Sequence, residues 1–574
     1  MKIRIKLTYF FTLLIMAFVL NRCANPVSPS GGPKDTTPPE LLGSEPPMFS
    51  KNFKGNKVRI HFDEFLELKD ISNQLIVSPP MEKMPEVKLK GKSVIIEFRE
   101  ALKENTTYNI FFGESVTDLT ENNPVSNFQY IFSTGDVLDS LMMEGKIMDA
   151  YTLEPMAGVN VMLYLDINDT LDFDSIPYLA RPYYLTRTNE NGEFVLYNLK
   201  DEDYKIFALL DVNSNLIYDQ PNENIAFIDT LVTPWYHAPL SLPDSLGPDS
   251  LVAQTIPEDT VVHQAFTMLL FDEADSVQKL NKAFLAGKNK LQFIFKIPTE
   301  NPELIPLNIS MDGLSSIEES NKSKDTLTLW LLDIPMDSIT FEVKDNGLVL
   351  DTVKIATVKK LRGKKARKKE SKPERPVIKF GLQGKVIRPG IPLRISFDYP
   401  VKTFDTTGIL LIEAEDTLKP EIRFNDSTRR FAELDFNWKM ASTYKLIIPD
   451  TAIIDILGRA NDSIVENFRT KAPEDYGNLK ISIHVEQPGD FHLLQWLDKD
   501  EKNLREILVT NDTIINFTNE EPGTYFLKTI YDLNKNRKWD SGNYLYNIQP
   551  EPVIYFKKQI DIRANWDIEE EWGI

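Results

Sequence analysis

Tyr204–Glu223 reads YKIFALLDVNSNLIYDQPNE, and Tyr525–Asn543 reads YFLKTIYDLNKNRKWDSGN. In each, a tyrosine opens an apolar run, an aspartate follows seven residues later, and an Asp-x-Asn-x-Asn-x-x-x-Asp pattern starts there. An apolar run rich in aromatic and branched residues that ends in an Asp/Asn cluster reads as a strand running into a turn. Its return about 320 residues later marks a module used twice, and an internal repeat constrains the fold before any single element does.

The 574 residues exceed what one hydrophobic core organises, and domains of roughly 100–150 residues would give four or five. A formal charge of -20 argues against a nucleic-acid surface, which is normally basic. With 33 Phe, 20 Tyr and 7 Trp the chain has the material for real cores, so its acidity belongs to a solvated surface rather than to disorder.

Short runs rich in branched and aromatic residues recur along the chain. Val58–Phe62, Val94–Phe98 and Tyr108–Phe112 come first, with the turn cluster Asn105-Thr106-Thr107 between the last two, and Tyr130–Phe132 closes the group before Gly135. That spacing predicts a β-sandwich. Gly158-Val159-Asn160-Val161 reads as a turn into a strand, and Asn191-Gly192 before Glu193-Phe194 as a tight hairpin turn. A third set is expected at Phe266–Phe271, Leu291–Ile297, Leu307–Met311, Thr326–Leu332 and Ser338–Val343. Leu393–Phe397, Ser442-Thr443-Tyr444, Asp455-Ile456-Leu457-Gly458 and Asn467–Thr470 then parallel the landmarks of the first set, with a Tyr-to-Asp spacing of eleven against ten. Trp496–Asp500 parallels Tyr164–Asn168 ahead of the second tyrosine strand, and Ile560–Trp572 reads as an edge strand with an acidic tail.

The amino terminus carries an address. Lys2, Arg4 and Lys6 precede the apolar Leu7–Leu20, which has signal-peptide rather than membrane-span length. The single cysteine, Cys23, follows and has no partner for a disulfide within the chain. With Leu20 three residues before it, Cys23 resembles the acylated residue of a bacterial lipoprotein, although Arg22 stands where a small residue is usual. A cleaved secretory signal or an uncleaved anchor are the other readings. Acyl chains there would anchor the protein stably to a membrane, at about 0.8 kcal/mol per buried methylene.

Residues 38–135 resemble the bacterial Ig-like domain of the surface-layer type. Pro38-Pro39, Pro46-Pro47, Phe62-Asp63-Glu64, Val77-Ser78-Pro79, Leu102 with Thr107-Tyr108, Asp118-Leu119 with Asn122-Asn123, and Phe132-Ser133-Thr134 carry the likeness. Such domains are spacers or interaction modules, and the resemblance implies no chemistry. The stretch from Glu144-Gly145 through Asn191-Gly192 to Tyr204 is similar to the transthyretin-like, carboxypeptidase-regulatory domain. The lipoprotein-like leader followed by the Ig-like domain resembles a family of Bacteroidota surface lipoproteins. That resemblance implies an outer-membrane protein partner such as a β-barrel, in an assembly or secretion complex.

The expected architecture is all-β, an elongated array of Ig-like and transthyretin-like sandwiches. It comprises a signal peptide (1–22), a lipid-anchored tether (23–37), an Ig-like domain (38–135), a transthyretin-like domain (136–235), a linker (236–258), a middle sandwich (259–358), a basic linker (359–376), a second Ig-like domain (377–471) and a second transthyretin-like domain (472–574). The basic stretch Lys359–Arg375 holds ten Lys/Arg against two Glu and reads as a solvated linker, an anionic-lipid contact or a dock for an acidic partner.

Candidate sites are few. Asp211, Asn213, Asn215 and Asp219, and likewise Asp532, Asn534, Asn536 and Asp540, stand at positions 1, 3, 5 and 9 of a calcium-loop spacing. Leu216 or Arg537 occupies the glycine position, and Asn222 or Asn543 the bidentate-glutamate position. Calcium is therefore weighed against Asx turns held by side-chain to backbone hydrogen bonds. Trp235 and Trp539 are candidate glycan platforms, for an alternative reading as an adhesin or carbohydrate-binding surface protein. No other cofactor is implied. The five histidines, His61, His237, His263, His484 and His492, are scattered, and neither His-Glu-x-x-His nor Gly-x-Ser-x-Gly occurs. A glycosidase-type carboxylate pair is a spatial feature that 85 acidic residues do not reveal. The expectation is a non-enzymatic outer-membrane lipoprotein acting as a scaffold, at the cell surface rather than on the periplasmic face.

Overall fold

The computed structural model describes residues 34–165, 175–236, 265–273, 277–310, 315–333, 336–357 and 374–574. The signal segment, Cys23, most of the tether, the Pro/Ser/Asp-rich linker, the basic stretch up to residue 373, His237, His263, Met311 and Asp166–Asn168 lie outside them. The chain is all-β and forms two compact units. One is Met1–Ile147, Pro155–Ile217 and Phe227–Met268; the other is Met148–Glu154, Tyr218–Ala226 and Leu269–Ile574.

The first unit opens with an Ig-like sandwich. Strands Leu41–Glu45, Lys57–Phe62, Ser93–Glu97 and Glu86–Leu89 form one sheet, and Ile76–Ser78, Thr107–Gly113 and Phe128–Ser133 the other. Period-two alternation explains why these residues pair as they do: Val58, Ile60 and Phe62 are at most 1% exposed while Arg59 and His61 point outward. Val94, Ile96, Tyr108, Ile110, Phe112, Tyr130 and Phe132 complete the core between the sheets. Gly135, at the end of the last strand, is a close-packing position, since a Cβ there would lie 2.9 Å from the Asn105 Cα.

In the following module, Leu141–Asp149 pairs with Glu193–Leu199 and with Trp235–Tyr236, while Asn160–Leu165 pairs with Tyr184–Arg187 and Tyr204–Leu210. The Asn191-Gly192 turn forms, with Gly192 at φ 73° and its N–H donated to the Asn189 carbonyl at 3.0 Å. It is not a hairpin turn. Tyr184–Arg187 and Glu193–Leu199 belong to different sheets, so the turn is a corner between the two layers. Phe266–Leu270 also departs from expectation. It joins Leu141–Asp149 instead of the middle sandwich, because Gly145 admits the Phe266 carbonyl where any Cβ would clash and Trp235 packs its ring 5.7 Å from that of Phe266.

The second unit contains three sandwiches. In the first, Leu280–Gly287, Lys290–Phe295, Thr326–Leu331 and Ser316–Ser320 form a sheet, and Pro302–Pro306, Ser338–Asp345 and Leu348–Ala356 another, around Phe293, Leu329, Phe341 and Val343.

 Ser338–Asp345 is the central strand of the second sheet and pairs along its whole length with Leu348–Ala356, which is the range of that edge strand. The strand expected at Leu307–Met311 lies earlier, at Pro302–Pro306, where Leu304 is buried and the Leu307 N–H already turns to the Thr340 carbonyl.

The next sandwich repeats the Ig-like frame. Ile378–Phe380, Leu393–Phe397, Phe431–Asp435 and Glu421–Phe424 face Asp416–Leu418, Leu410–Glu413, Thr443–Ile448 and Ile464–Arg469. The Lys439 N–H donates to the Tyr444 hydroxyl at 2.8 Å as the Lys103 N–H does to Tyr108, and Thr470 binds the Lys439 carbonyl as Thr134 binds that of Lys103. Tyr444 stacks on Phe468 as Tyr108 stacks on Phe132.

In the last sandwich Thr513–Glu520, Gly477–His484 and Asp567–Gly573 form one sheet. The other holds Asn503–Val509, His492–Leu497, Gly523–Tyr531 and Val553–Tyr555, with Ile560–Ile562 paired to the start of Gly523–Tyr531. Trp496 is stacked between Phe517 and Tyr525, with ring centroids 4.4 and 4.6 Å away. Asp567–Gly573 is an edge strand, as its alternation predicts, but no loose acidic tail follows it: it runs parallel to Gly477–His484, and Ile574 is 4% exposed with its N–H on the His484 carbonyl.

Candidate functional site

The two Asp/Asn loops share one set of Asx hydrogen bonds. Asp211 accepts the N–H groups of Asn215 (3.2 Å) and Leu216 (2.8 Å), and Asp532 those of Asn536 (2.9 Å) and Arg537 (2.8 Å). Asn213 and Asn534 accept the same Asn215 and Asn536 N–H groups, at 3.1 and 3.0 Å. Asn215 then caps Ile217, and Asn536 caps Lys538. The backbone is left-handed at Ser214 and Leu216, and at Lys535 and Arg537. These are Asx turns in which side-chain oxygens replace the backbone partners that a strand end has lost.

Asp219 and Asp540 play a different part. Each offers its backbone N–H to a buried glutamate, Asp219 to Glu223 and Asp540 to Glu551, both at 3.0 Å. Glu223 is 0% and Glu551 5% exposed, and burial raises the Glu551 carboxyl above the ordinary range. Sequence reading missed both glutamates, because they stand four residues after Asp219 but eleven after Asp540, so no fixed spacing joins them to the repeat. Asp540 accepts the side-chain amides of Asn534 and Asn536. Among the described residues no group of three or more His, Cys, Asp or Glu is gathered in a way that holds a metal ion.

The two tryptophans are packed. Trp235 lies against Phe266. Trp539 is edge-on to Tyr151 at 5.0 Å, and its indole N–H donates to the Glu551 carbonyl at 3.0 Å. On the same Tyr151, Lys528 is 2% exposed, donates to the Tyr151 carbonyl at 2.6 Å and sits over its ring.

Two further features emerge only in three dimensions. Glu520, 1% exposed, is held by Arg388 at 2.9 Å and Arg505 at 3.2 Å, tying the second Ig-like sandwich to the last one. Beyond the Asp532 loop, the Asn543 and Ile548 backbones exchange hydrogen bonds of 2.7 and 2.8 Å and close a tight loop over the buried Tyr544. That loop exposes Leu545 (55%), Tyr546 (76%) and Ile548 (51%) together.

The chain is thus an all-β protein of Ig-like and related sandwiches whose loops carry structural hydrogen bonds. Residues 35–134 match the bacterial Ig-like domain family. A search of the curated proteins finds no match. Among solved structures, the chain is similar to BcpA, the major pilin subunit of Bacillus cereus, at 8% identity over 75% of this chain and 98% of that one, with a TM-score of 0.13. It is similar to the surface-layer protein SbsC, domains 1–6, at 9% identity over 92% and 67%, with a TM-score of 0.14. Native alpha-2-macroglobulin from Escherichia coli, spanning domains MG0-NIE-MG1, matches at 11% identity over 50% and 97%, with a TM-score of 0.17. Likenesses at these scores carry no argument about function. Among the described residues no helix is long and apolar enough to cross a membrane.

Proposed function

We propose that this protein is a non-enzymatic, lipid-anchored scaffold of the outer membrane that holds a membrane-protein partner, such as a β-barrel of an assembly or secretion complex. The modules after each Ig-like sandwich are read as transthyretin-like. The observation that carries the reading is the Tyr544–Ile548 loop: three large apolar side chains are held in solvent by a closed backbone ring, on a module whose core is already filled. A rigid loop that keeps Tyr, Leu and Ile exposed is the kind of surface a partner buries, and tyrosine is among the residues that dominate such contacts. Cys23 supplies the anchor.

The test is affinity purification of the full-length chain from its native envelope in mild detergent, beside Cys23→Ala and Tyr546→Ala. Stoichiometric recovery of a membrane protein, reduced in Cys23→Ala and lost in Tyr546→Ala, is the expected result. Recovery of the chain alone in all three preparations would sink the proposal.

A further inference from the structure

We propose that the first unit contains a saccharide-binding cleft, on the outer face of its Ig-like sheet, that takes one or two neutral sugar rings. The cleft measures about 450 Å³ and lies between strands Ile76–Ser78, Thr107–Gly113 and Phe128–Ser133 on one side and Tyr184–Arg187 and Glu193–Leu199 on the other. That volume falls within the roughly 300–1,000 Å³ occupied by small-molecule sites.

The sheet register decides what faces it. Asn109 stands opposite Ser78 and Ile131, and Phe111 opposite Ile76 and Gln129, so these side chains share the face turned away from the Tyr108, Ile110 and Phe112 core. Asn109 is 9% exposed. Its Nδ2 donates to the Gln129 Oε1 at 2.9 Å, and its Oδ1 has no hydrogen-bond partner. A buried amide oxygen without a donor is an exception in a folded chain, and an O–H or N–H is what it accepts.

The rest of the lining selects among ligands bearing such donors. Arg187 and Glu193 offset each other in charge, which disfavours a strongly ionic ligand. Amide, guanidinium and carboxylate groups beside Phe111 and Tyr197 provide donors, acceptors and apolar faces in one wall, matching a molecule with hydroxyls at its rim and C–H groups on its faces. An extended peptide would need an open strand edge. Here the edges are tied across the cleft, the Leu185 N–H donating to the Ser78 Oγ at 3.2 Å and the Arg187 Nη1 to the Asn73 carbonyl at 2.5 Å. The site is independent of the Tyr544–Ile548 loop, so either can fail without the other.

The experiment uses the full chain and three probes, maltose, cellobiose and N,N′-diacetylchitobiose, followed by saturation-transfer NMR and calorimetric titration. At least one disaccharide should bind. Asn109→Leu should weaken it roughly tenfold or more, as expected for losing a buried hydrogen bond. Arg187→Met provides a second variant should Asn109→Leu fail to fold, and is expected to weaken binding likewise. Asn467→Leu, on the corresponding face of the second Ig-like sandwich, should bind as the natural chain does. Silence with all three sugars, undiminished binding by both folded cleft variants, or binding of tetra-alanine in place of the sugars would overturn the proposal.

Discussion

Lys528 offers a test of the second unit's packing through its pH dependence. Burial is the main cause that pulls its ammonium down from 10.5 to about 8, and the nearby Glu501 and Asp149 offset this only in part. The unfolded chain returns the group to its ordinary value. Between about pH 8 and 10.5 the unfolded chain therefore holds more protons than the folded one, and stability rises with pH. From pH 8 to 9.5 the gain is at most about 2 kcal/mol. The Tyr151 and Tyr555 rings, 3.2 and 5.4 Å from the Nζ, favour the cation and reduce this, so about 1 kcal/mol is the lower figure. Tyr555 does not titrate in this window, because burial and its hydrogen bond to Glu501 keep its hydroxyl protonated. The assay is urea unfolding followed by tryptophan fluorescence, which Trp496 and Trp539 report from the same module, at pH 7.5, 8.5 and 9.5. The natural chain should gain about 1–2 kcal/mol relative to Lys528→Met across that range, or roughly 0.5–1 M in urea midpoint. A difference between the two proteins that stays constant with pH would refute the reasoning, since common titrations cancel in the subtraction.

Three further outcomes are expected. Tyr204→Phe and Tyr525→Phe each remove a hydroxyl donated to the carbonyl four residues upstream, Lys200 at 3.0 Å and Glu521 at 2.9 Å, and should each cost about 1 kcal/mol in denaturant unfolding. Glu520→Ala removes the carboxylate that joins Arg388 and Arg505 and should destabilise the second unit by about 1.5–3 kcal/mol, more than loss of either arginine alone. Millimolar CaCl₂ followed by EDTA should leave the thermal midpoint unmoved, because the Asx oxygens serve backbone N–H groups. A stabilisation by calcium that Asp532→Asn abolishes would put an ion in the loop.

The strands were legible where alternation was strong. Val58, Ile60 and Phe62 announce their own face, and the Thr107-Tyr108 and Thr443-Tyr444 landmarks locate the same hydrogen bonds in both Ig-like sandwiches. What local pattern does not carry is the partner a strand selects. Phe266–Leu270 reads as a strand from its residues, yet it joins Leu141–Asp149 because Gly145, far away in sequence, leaves room for its carbonyl. Asn191-Gly192 announces a turn but not that its flanking strands enter different sheets. Glu223 and Glu551 were invisible for a related reason: a buried carboxylate that caps a loop is fixed by where the chain returns, and the returns differ in length.

The same distinction bears on where function resides. Between the two Ig-like sandwiches the inward frame is held, with Tyr108, Phe132 and Thr134 repeated as Tyr444, Phe468 and Thr470 in the same contacts. The outward positions of the same strands are not. By register, Asn109 corresponds to Lys445 and Ile131 to Asn467, and Lys445, Asn467 and Arg469 line a cavity of about 370 Å³ on the second copy's face. A sheet needs its inward residues to fold, whereas its outward residues are free to answer to whatever lies against them. One face carries a buried amide and meets a balanced Arg187 and Glu193 across its cleft; the other presents Lys445 and Arg469. A neutral ligand suited to the first gains nothing from the charges of the second, which is why Asn467→Leu separates a specific cleft from a general property of the fold.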